Sequence, residues 1–178
     1  VQWDNPASLV VTGARYTIDI TPTSNVSGLG AVAEEITQVV GITLPDRFDG
    51  IHRLWVWLID EDGNLDYTTS ASTTYLYDAT PPTVQIAAPA FVTTTSFTVA
   101  WSGMDGDFGP DVLSYTVDYL RSDETMWANW LSETTITQSN FTGAALGRSY
   151  VFSVTARDRA GNVAQDATTV RVGDYYIY

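Results

Sequence analysis

Short stretches in which apolar and polar residues alternate run through most of the chain. Clear examples are Tyr16–Ile20, Phe97–Trp101 and Tyr115–Tyr119. Successive side chains of a β-strand point to opposite faces, so this period of two lets each stretch bury one face and expose the other. Gly, Pro, Asn and Asp separate the stretches, as turn residues do. The pattern predicts an all-β chain of many short strands, an arrangement typical of β-sandwiches.

The best domain boundary lies in Tyr77–Thr83, which contains Pro81 and Pro82. Two consecutive prolines cannot donate hydrogen bonds to a sheet, and they hold the backbone extended. We therefore expect a short, stiff linker here. It divides the chain into residues 1–79 and residues 80–178, each long enough for one small sandwich.

An internal repeat supports this division. Residues 54–64 align with residues 152–162 without a gap. Both copies have the pattern of a strand that ends in an aspartate, Asp60 or Asp158, and both close with Gly-Asn. Glycine and asparagine tolerate the positive φ of tight hairpin turns, so each copy predicts a strand, a hairpin turn and a second strand.

The second half carries a series of sequence landmarks. They are Asp78–Val84, Trp101–Gly103, Ser114–Tyr119, Trp127–Trp130, Phe141–Gly143 and Gly147–Asp158. With these landmarks the second half resembles fibronectin type III-like domains of bacterial surface and secreted proteins. The resemblance implies two tandem immunoglobulin-like or fibronectin type III-like β-sandwiches, the first one divergent. It also implies that Trp101 is the core tryptophan of its sandwich and that Tyr150 is the corner tyrosine.

Composition narrows the classes of partner. The chain has 8 Lys and Arg residues against 21 Asp and Glu residues, a formal net charge of −13. Nucleic acids and anionic lipid surfaces are bound through basic side chains, so we expect neither as a partner. No apolar run approaches the roughly 20 residues that span a bilayer. The first and last residues look like cuts in a longer polypeptide, within which we expect a monomeric unit.

Enzymatic chemistry has little support in the sequence. There is no cysteine, His52 is the only histidine, and no Gly-x-Ser-x-Gly motif occurs. His52 aligns with Tyr150 at the start of a strand, which favours a structural role. The acidic residues alone leave glycosidase chemistry open, because it requires only two facing carboxylates. Two small sandwiches leave little chain for a cleft, so we expect no enzyme.

Calcium is a cofactor that the sequence leaves open, although we expect no cofactor. Asp60, Asp62 and Asn64 alternate as the first ligands of an EF-hand loop do. Leu65 and Ala71, however, occupy the positions of the turn glycine and of the bidentate glutamate. A plain hairpin turn explains the same residues.

A second acidic segment contains Asp105, Asp107 and Asp111 among glycine and proline residues. Carboxylate oxygens are the ligands that Ca²⁺ prefers in proteins, so the segment could wrap around such an ion. An acidic surface loop between two strands is the competing interpretation.

Two tryptophans suggest a binding surface. Period-two alternation places Trp55 and Trp57 on one face of the strand that begins near Leu54. The aligned positions of the second half, Ser153 and Thr155, are polar. Exposed, the two indoles would form a platform for sugar rings or for a protein partner. Alternatively, another part of the protein covers them.

These features and the resemblance together predict a non-enzymatic structural, spacer and interaction module of a larger bacterial surface or secreted protein. The alternative is an adhesion module that binds carbohydrate or protein through the Trp55 and Trp57 face. The resemblance further implies a location outside the cell or on its surface.

Overall fold

The chain folds into two compact units, residues 1–77 and residues 78–178. The structure is a computed structural model, and it describes residues 2, 4–5, 7, 10–25, 28–32, 38, 49–106 and 112–173. These residues form β-strands and one 3-10 turn, so the all-β prediction is confirmed. No helix among them is long and apolar enough to cross a membrane.

The described strands of the first unit form one antiparallel sheet in the order β2-β1-β3-β4. Their bounds are β1 Val11–Ile18, β2 Leu29–Val32, β3 Gly50–Asp60 and β4 Ala71–Tyr77, and the 3-10 turn is Tyr67–Thr69. Strand β1 ends at Ile18, two residues before the end of the predicted alternation, because Asp19 has a φ of 55°. That value lies in the left-handed region, which a continuing strand does not use.

One face of this sheet carries the core of the first unit. Val11, Ala14, Tyr16 and Leu54 are buried and pack with partly buried neighbours such as Val56. Burial alternates with the predicted period of two from Gly50 to Leu54, but the period ends there, because Trp57 on the opposite face is also buried. The prediction that this unit is also a sandwich stays a prediction, since its described strands belong to a single sheet.

The second unit has two sheets. Their orders are β10-β7-β5 and β6-β12-β11-β8-β9. The bounds are β5 Thr83–Ala87, β6 Phe91–Val92, β7 Ser96–Met104, β8 Ser114–Arg121, β9 Ala128–Thr134, β10 Gln138–Thr142, β11 Ser149–Arg157 and β12 Val163–Val172. Among the described strand pairs of this unit, only the short pairing of β6 with β12 is parallel. The predicted alternations in residues 97–101 and 115–119 lie inside β7 and β8.

The inward faces of these two sheets form one aromatic core. Trp101, Phe141 and Phe152 are buried in it together with aliphatic residues of β7, β8, β11 and β12. Trp101 Nε1 donates a hydrogen bond of 2.8 Å to the carbonyl of Ile136. Burial of Trp101 is what the resemblance implies, and the bond provides the indole nitrogen with an acceptor.

Tyr150 also has the environment that the resemblance implies for a corner tyrosine. Its side chain is buried, and its hydroxyl accepts a 2.8 Å hydrogen bond from the backbone N–H of Ala145. Because the bond joins a core residue to the preceding loop, it fixes the entry into β11.

Candidate functional site

The predicted tryptophan platform does not form as a pair of exposed rings. Trp57 is only 1% exposed. Gly28, just before β2, lies against its indole: a Cβ atom added at Gly28 would stand 2.9 Å from Trp57 Cη2 and 3.1 Å from Thr17 Cγ2. The covered alternative therefore applies to Trp57, because another segment of the same unit shields it.

Trp55 is the more accessible of the two tryptophans. Its side chain is partly buried, and the guanidinium carbon of Arg53 lies 5.7 Å from the centroid of the indole ring. That distance is suitable for a cation–π contact. Any stacking surface on this face of β3 therefore includes Trp55 and Arg53 but not the buried Trp57.

The turn after β3 contains three candidates for calcium ligands, and two of them, Asp60 and Asn64, use their side chains to close the turn. Asp60 Oδ1 accepts hydrogen bonds from the N–H groups of Asp62 and Asn64, at 3.0 and 2.7 Å. Asp60 Oδ2 accepts a 2.9 Å bond from the Asn64 amide. These bonds, first of all that from the amide, hold the pKa of Asp60 below its ordinary value of 3.8. The geometry is that of a hairpin turn.

The turn after β11 repeats this geometry. Asp158 Oδ1 accepts from the N–H groups of Gly161 and Asn162, at 2.7 and 2.8 Å, and Asp158 Oδ2 accepts from the Asn162 amide at 2.9 Å. In one respect the two turns differ. Asp158 is fully buried, whereas Asp60 is partly exposed.

Two further carboxylates lie beside Asp158. Asp78, Asp105 and Asp158 each place a carboxylate oxygen within 4.8 Å of the others. Pairing of Thr83 in β5 with Met104 in β7 brings the residues before β5 close to the residue that follows β7. In addition, the Asn162 amide donates a 3.3 Å hydrogen bond to the carbonyl of Asp78. We call these three carboxylates the acidic cluster.

The sequence identified one member of the acidic cluster, Asp105, as a candidate ligand. Asp107 and Asp111, the other two candidates of that segment, lie outside the described residues. Asp78 and Asp158 were not identified, because they are distant in sequence and come together only through strand pairing. The two groups of candidate ligands therefore differ: Asp60, Asp62 and Asn64 form a hydrogen-bonded hairpin turn, whereas Asp105 lies beside two other carboxylates.

His52 is held by contacts on several sides. Its Nδ1 atom lies 2.6 Å from Asp19 Oδ2, and its ring stacks on Tyr75 at a centroid distance of 5.4 Å. The bond to His52, with a further bond from the N–H of Arg53, holds the pKa of Asp19 below 3.8. Burial and the Asp19 charge raise the pKa of Tyr75. His52 itself is only 2% exposed, which leaves a substrate no access to its ring.

A groove of about 700 Å³ lies on the first unit. Leu54, Val56 and Leu58 contribute apolar lining, and Asp4, Asp60 and Asp66 contribute carboxylates. Hydrogen bonds hold the pKa of Asp60 and of Asp66 below the ordinary value, first of all from the side chains of Asn64 and Thr68 respectively. A glycosidase needs one carboxylic acid whose pKa is raised, and the lowered pKa of Asp60 and of Asp66 does not suit either residue to that role.

The fold and the comparison with known families agree on the second unit. Residues 80–171 match the family described as "Fibronectin type III domain". The matched segment includes β5 to β11 and all but the last residue of β12, so it contains both sheets and the aromatic core. The match covers more than half of the sequence, and the chain belongs to the fibronectin type III family.

Proposed function

We propose that this chain is a non-enzymatic structural, spacer and interaction module of a larger bacterial surface or secreted protein. Domains of this family are commonly structural or interaction modules and are generally non-enzymatic. The observation that carries the proposal is the closed aromatic core of the second unit, in which residues of both sheets are buried. A filled interior favours mechanical and adhesive roles over chemistry.

The state of the polar groups supports the same role. The carboxylates of Asp60 and Asp66 accept hydrogen bonds within their own turns, and His52 is buried. The net charge of −13 favours a protein or carbohydrate partner over nucleic acid or anionic lipid. We assign the module to the cell exterior or cell surface, as a monomeric part of a longer chain.

The structural role is tested by stretching the full chain between its ends in single-molecule force spectroscopy. We expect the second unit to unfold in one discrete event and to refold when the force is released. Tyr150→Phe, which removes the hydrogen bond from Ala145, should lower the force of that event. Asp62→Asn is the matched control, because the Asp62 side chain is exposed in the other unit. Extension of the second unit without a discrete event contradicts the role.

A second candidate function is binding of carbohydrate or protein through Trp55. The partly exposed indole beside Arg53 favours it, since aromatic rings stack on the apolar faces of sugars. Titration of tryptophan fluorescence with a glycan panel tests the carbohydrate form. Trp55→Ala should remove the response. Trp127→Ala is the control and should keep the response, because Trp127 is an exposed tryptophan, 49% accessible, that lies in the second unit, whereas Trp55 lies in the first. A response that survives Trp55→Ala counts against this site.

A further inference from the structure

The acidic cluster joins three separate segments of the second unit. Asp78 precedes β5, Asp105 follows β7 and Asp158 follows β11. Their oxygens lie within 4.8 Å of one another. Carboxylates repel each other at this distance, and the repulsion grows as water is excluded. The fold therefore concentrates negative charge at one place.

Burial adds a second and independent observation. Asp158 is fully buried, and Asp105 Oδ2 is buried with no hydrogen-bond donor among the described residues. The other oxygen, Asp105 Oδ1, accepts a 2.9 Å hydrogen bond from the N–H of Gly106. Buried charges in proteins are paired or bind a metal, since an unmet carboxylate oxygen is costly without water. Asp105 as a residue is partly exposed, and its buried oxygen is thus available to a ligand.

Basic side chains of the described residues do not pair with Asp105 or Asp158. The carboxylates that form ion pairs among the described residues are those of Asp19, Asp123 and Glu124. Asp158 is already oriented by its turn, and the Asn162 amide holds both Asp158 Oδ2 and the carbonyl of Asp78. Oxygen atoms are thus placed before any ion arrives, which lowers the cost of binding.

We propose that Asp78, Asp105 and Asp158 form a calcium site, a property that goes beyond the proposed function. Ca²⁺ takes oxygen ligands at about 2.3–2.6 Å, so two ligands on opposite sides of the ion stand about 5 Å apart. The spacing within the cluster fits that limit. All three side-chain ligands are carboxylates, which suit a hard cation and lack the nitrogen and sulfur atoms of zinc sites.

The site connects the start of the second unit to the ends of two of its strands. A bound ion would hold Asp78 against the residues that follow β7 and β11, and it would neutralise the repulsion among the carboxylates. Because the ion binds the folded unit and not the unfolded chain, calcium should raise the melting temperature of that unit.

Calorimetric titration of the full, chelator-treated chain with CaCl₂ tests the site. We expect a dissociation constant on the order of 0.1–1 mM, as in extracellular modules, and a melting temperature that rises with calcium concentration. Asp105→Asn should weaken binding about tenfold or more, because it removes one charge from the ligand set. Asp78→Asn carries the same expectation and decides the matter if Asp105→Asn does not fold.

Asp158→Asn and Asp60→Asn form a matched pair of controls. Each substitution disturbs a turn with the same hydrogen bonds, but only Asp158 belongs to the acidic cluster. Calcium binding should fall in Asp158→Asn and persist in Asp60→Asn. Absence of both heat and a thermal shift at millimolar calcium overturns the site, as does equal loss in the two variants. Binding of Mg²⁺ as tight as that of Ca²⁺ overturns the assignment to calcium. Any of these failures leaves the mechanical test of the proposed function unaffected.

Discussion

Strands β3 and β11 occupy equivalent places in the internal repeat, but they bury different groups. In β3 the tryptophan Trp57 is buried against Gly28, and the aspartate of the following turn is partly exposed. In β11 the aligned residue Thr155 is partly exposed, and the turn aspartate Asp158 is fully buried. Two strands with one local pattern thus differ through what the surrounding chain places beside them.

The difference shows which properties are local. Each turn is closed by the same hydrogen bonds from the N–H and the amide of its asparagine, Asn64 or Asn162. These bonds span four residues and need no distant partner. Burial of Trp57 or of Asp158 depends on segments far away in sequence, and it decides whether a position can bind a ligand.

Among the changes that test the difference between β3 and β11, removal of the Trp57 ring should have the largest effect on stability. Trp57→Ala is expected to destabilise the first unit by about 3–5 kcal/mol, since it leaves a cavity beside Gly28. The aligned change in the second unit, Thr155→Ala, should cost less because Thr155 is partly exposed. Urea unfolding measures the free energies, and hydrogen exchange assigns each loss to a unit. Equal effects of the two changes would contradict the different burial of β3 and β11.

A second variant at the same position sharpens the result. Trp57 Nε1 is buried and has no hydrogen-bond acceptor among the described residues. Burial of an unpaired donor opposes the gain from packing the ring. Trp57→Phe should therefore cost clearly less than Trp57→Ala, because it keeps an aromatic ring and removes the polar atom.

The two turn aspartates come next in size. Asp158→Ala is expected to destabilise the second unit by about 3 kcal/mol, since it leaves the N–H groups of Gly161 and Asn162 without their acceptor in a buried place. Asp60→Ala should have a smaller effect, because water can replace the carboxylate in an exposed turn. Both changes are measured by urea unfolding in the presence of a chelator. A larger loss in Asp60→Ala would mean that burial does not separate the turns.

The start of each strand offers a further comparison, between His52 in β3 and Tyr150 in β11. Tyr150→Phe should destabilise the second unit by about 1 kcal/mol, because the N–H of Ala145 loses its acceptor. Tyr119→Phe serves as the control for loss of a tyrosine hydroxyl on the neighbouring strand β8. Thermal unfolding measures both variants. An unchanged stability of Tyr150→Phe would show that the corner bond contributes nothing.

Prediction from sequence was strongest where structure is local. Alternation predicted the strands that contain Phe97 and Tyr115, and the Gly-Asn pairs predicted both turns. The left-handed Asp19 was missed, because its carboxylate bonds to His52 from another strand. The sequence offered burial of Trp57 only as an alternative, and it did not predict that Asp78 and Asp158 lie beside Asp105. Both arrangements depend on strand pairing between distant segments. Long-range contacts of this kind have no signal in a short window of sequence.

The smallest expected effect is on the stability of the first unit at low pH. His52 contacts an ionisable carboxylate, Asp19, whereas the Tyr150 hydroxyl accepts a bond from a backbone N–H. The bond to His52 and the N–H of Arg53 lower the pKa of Asp19 in the folded state, so the folded protein binds this proton less readily than the unfolded chain does. The stabilisation from Asp19 is therefore present above the unfolded pKa of about 3.8, and it is lost as the pH falls through the lower, folded value. Solvent screening keeps the effect small, because the Asp19 side chain is 40% exposed. Asp19→Asn should flatten the acid limb of stability against pH for the first unit, while Tyr150→Phe should leave that limb unchanged. Stability measured by urea unfolding from pH 6 to pH 2 provides the test, and an acid limb unaltered in Asp19→Asn would show that the contact with His52 does not act through charge.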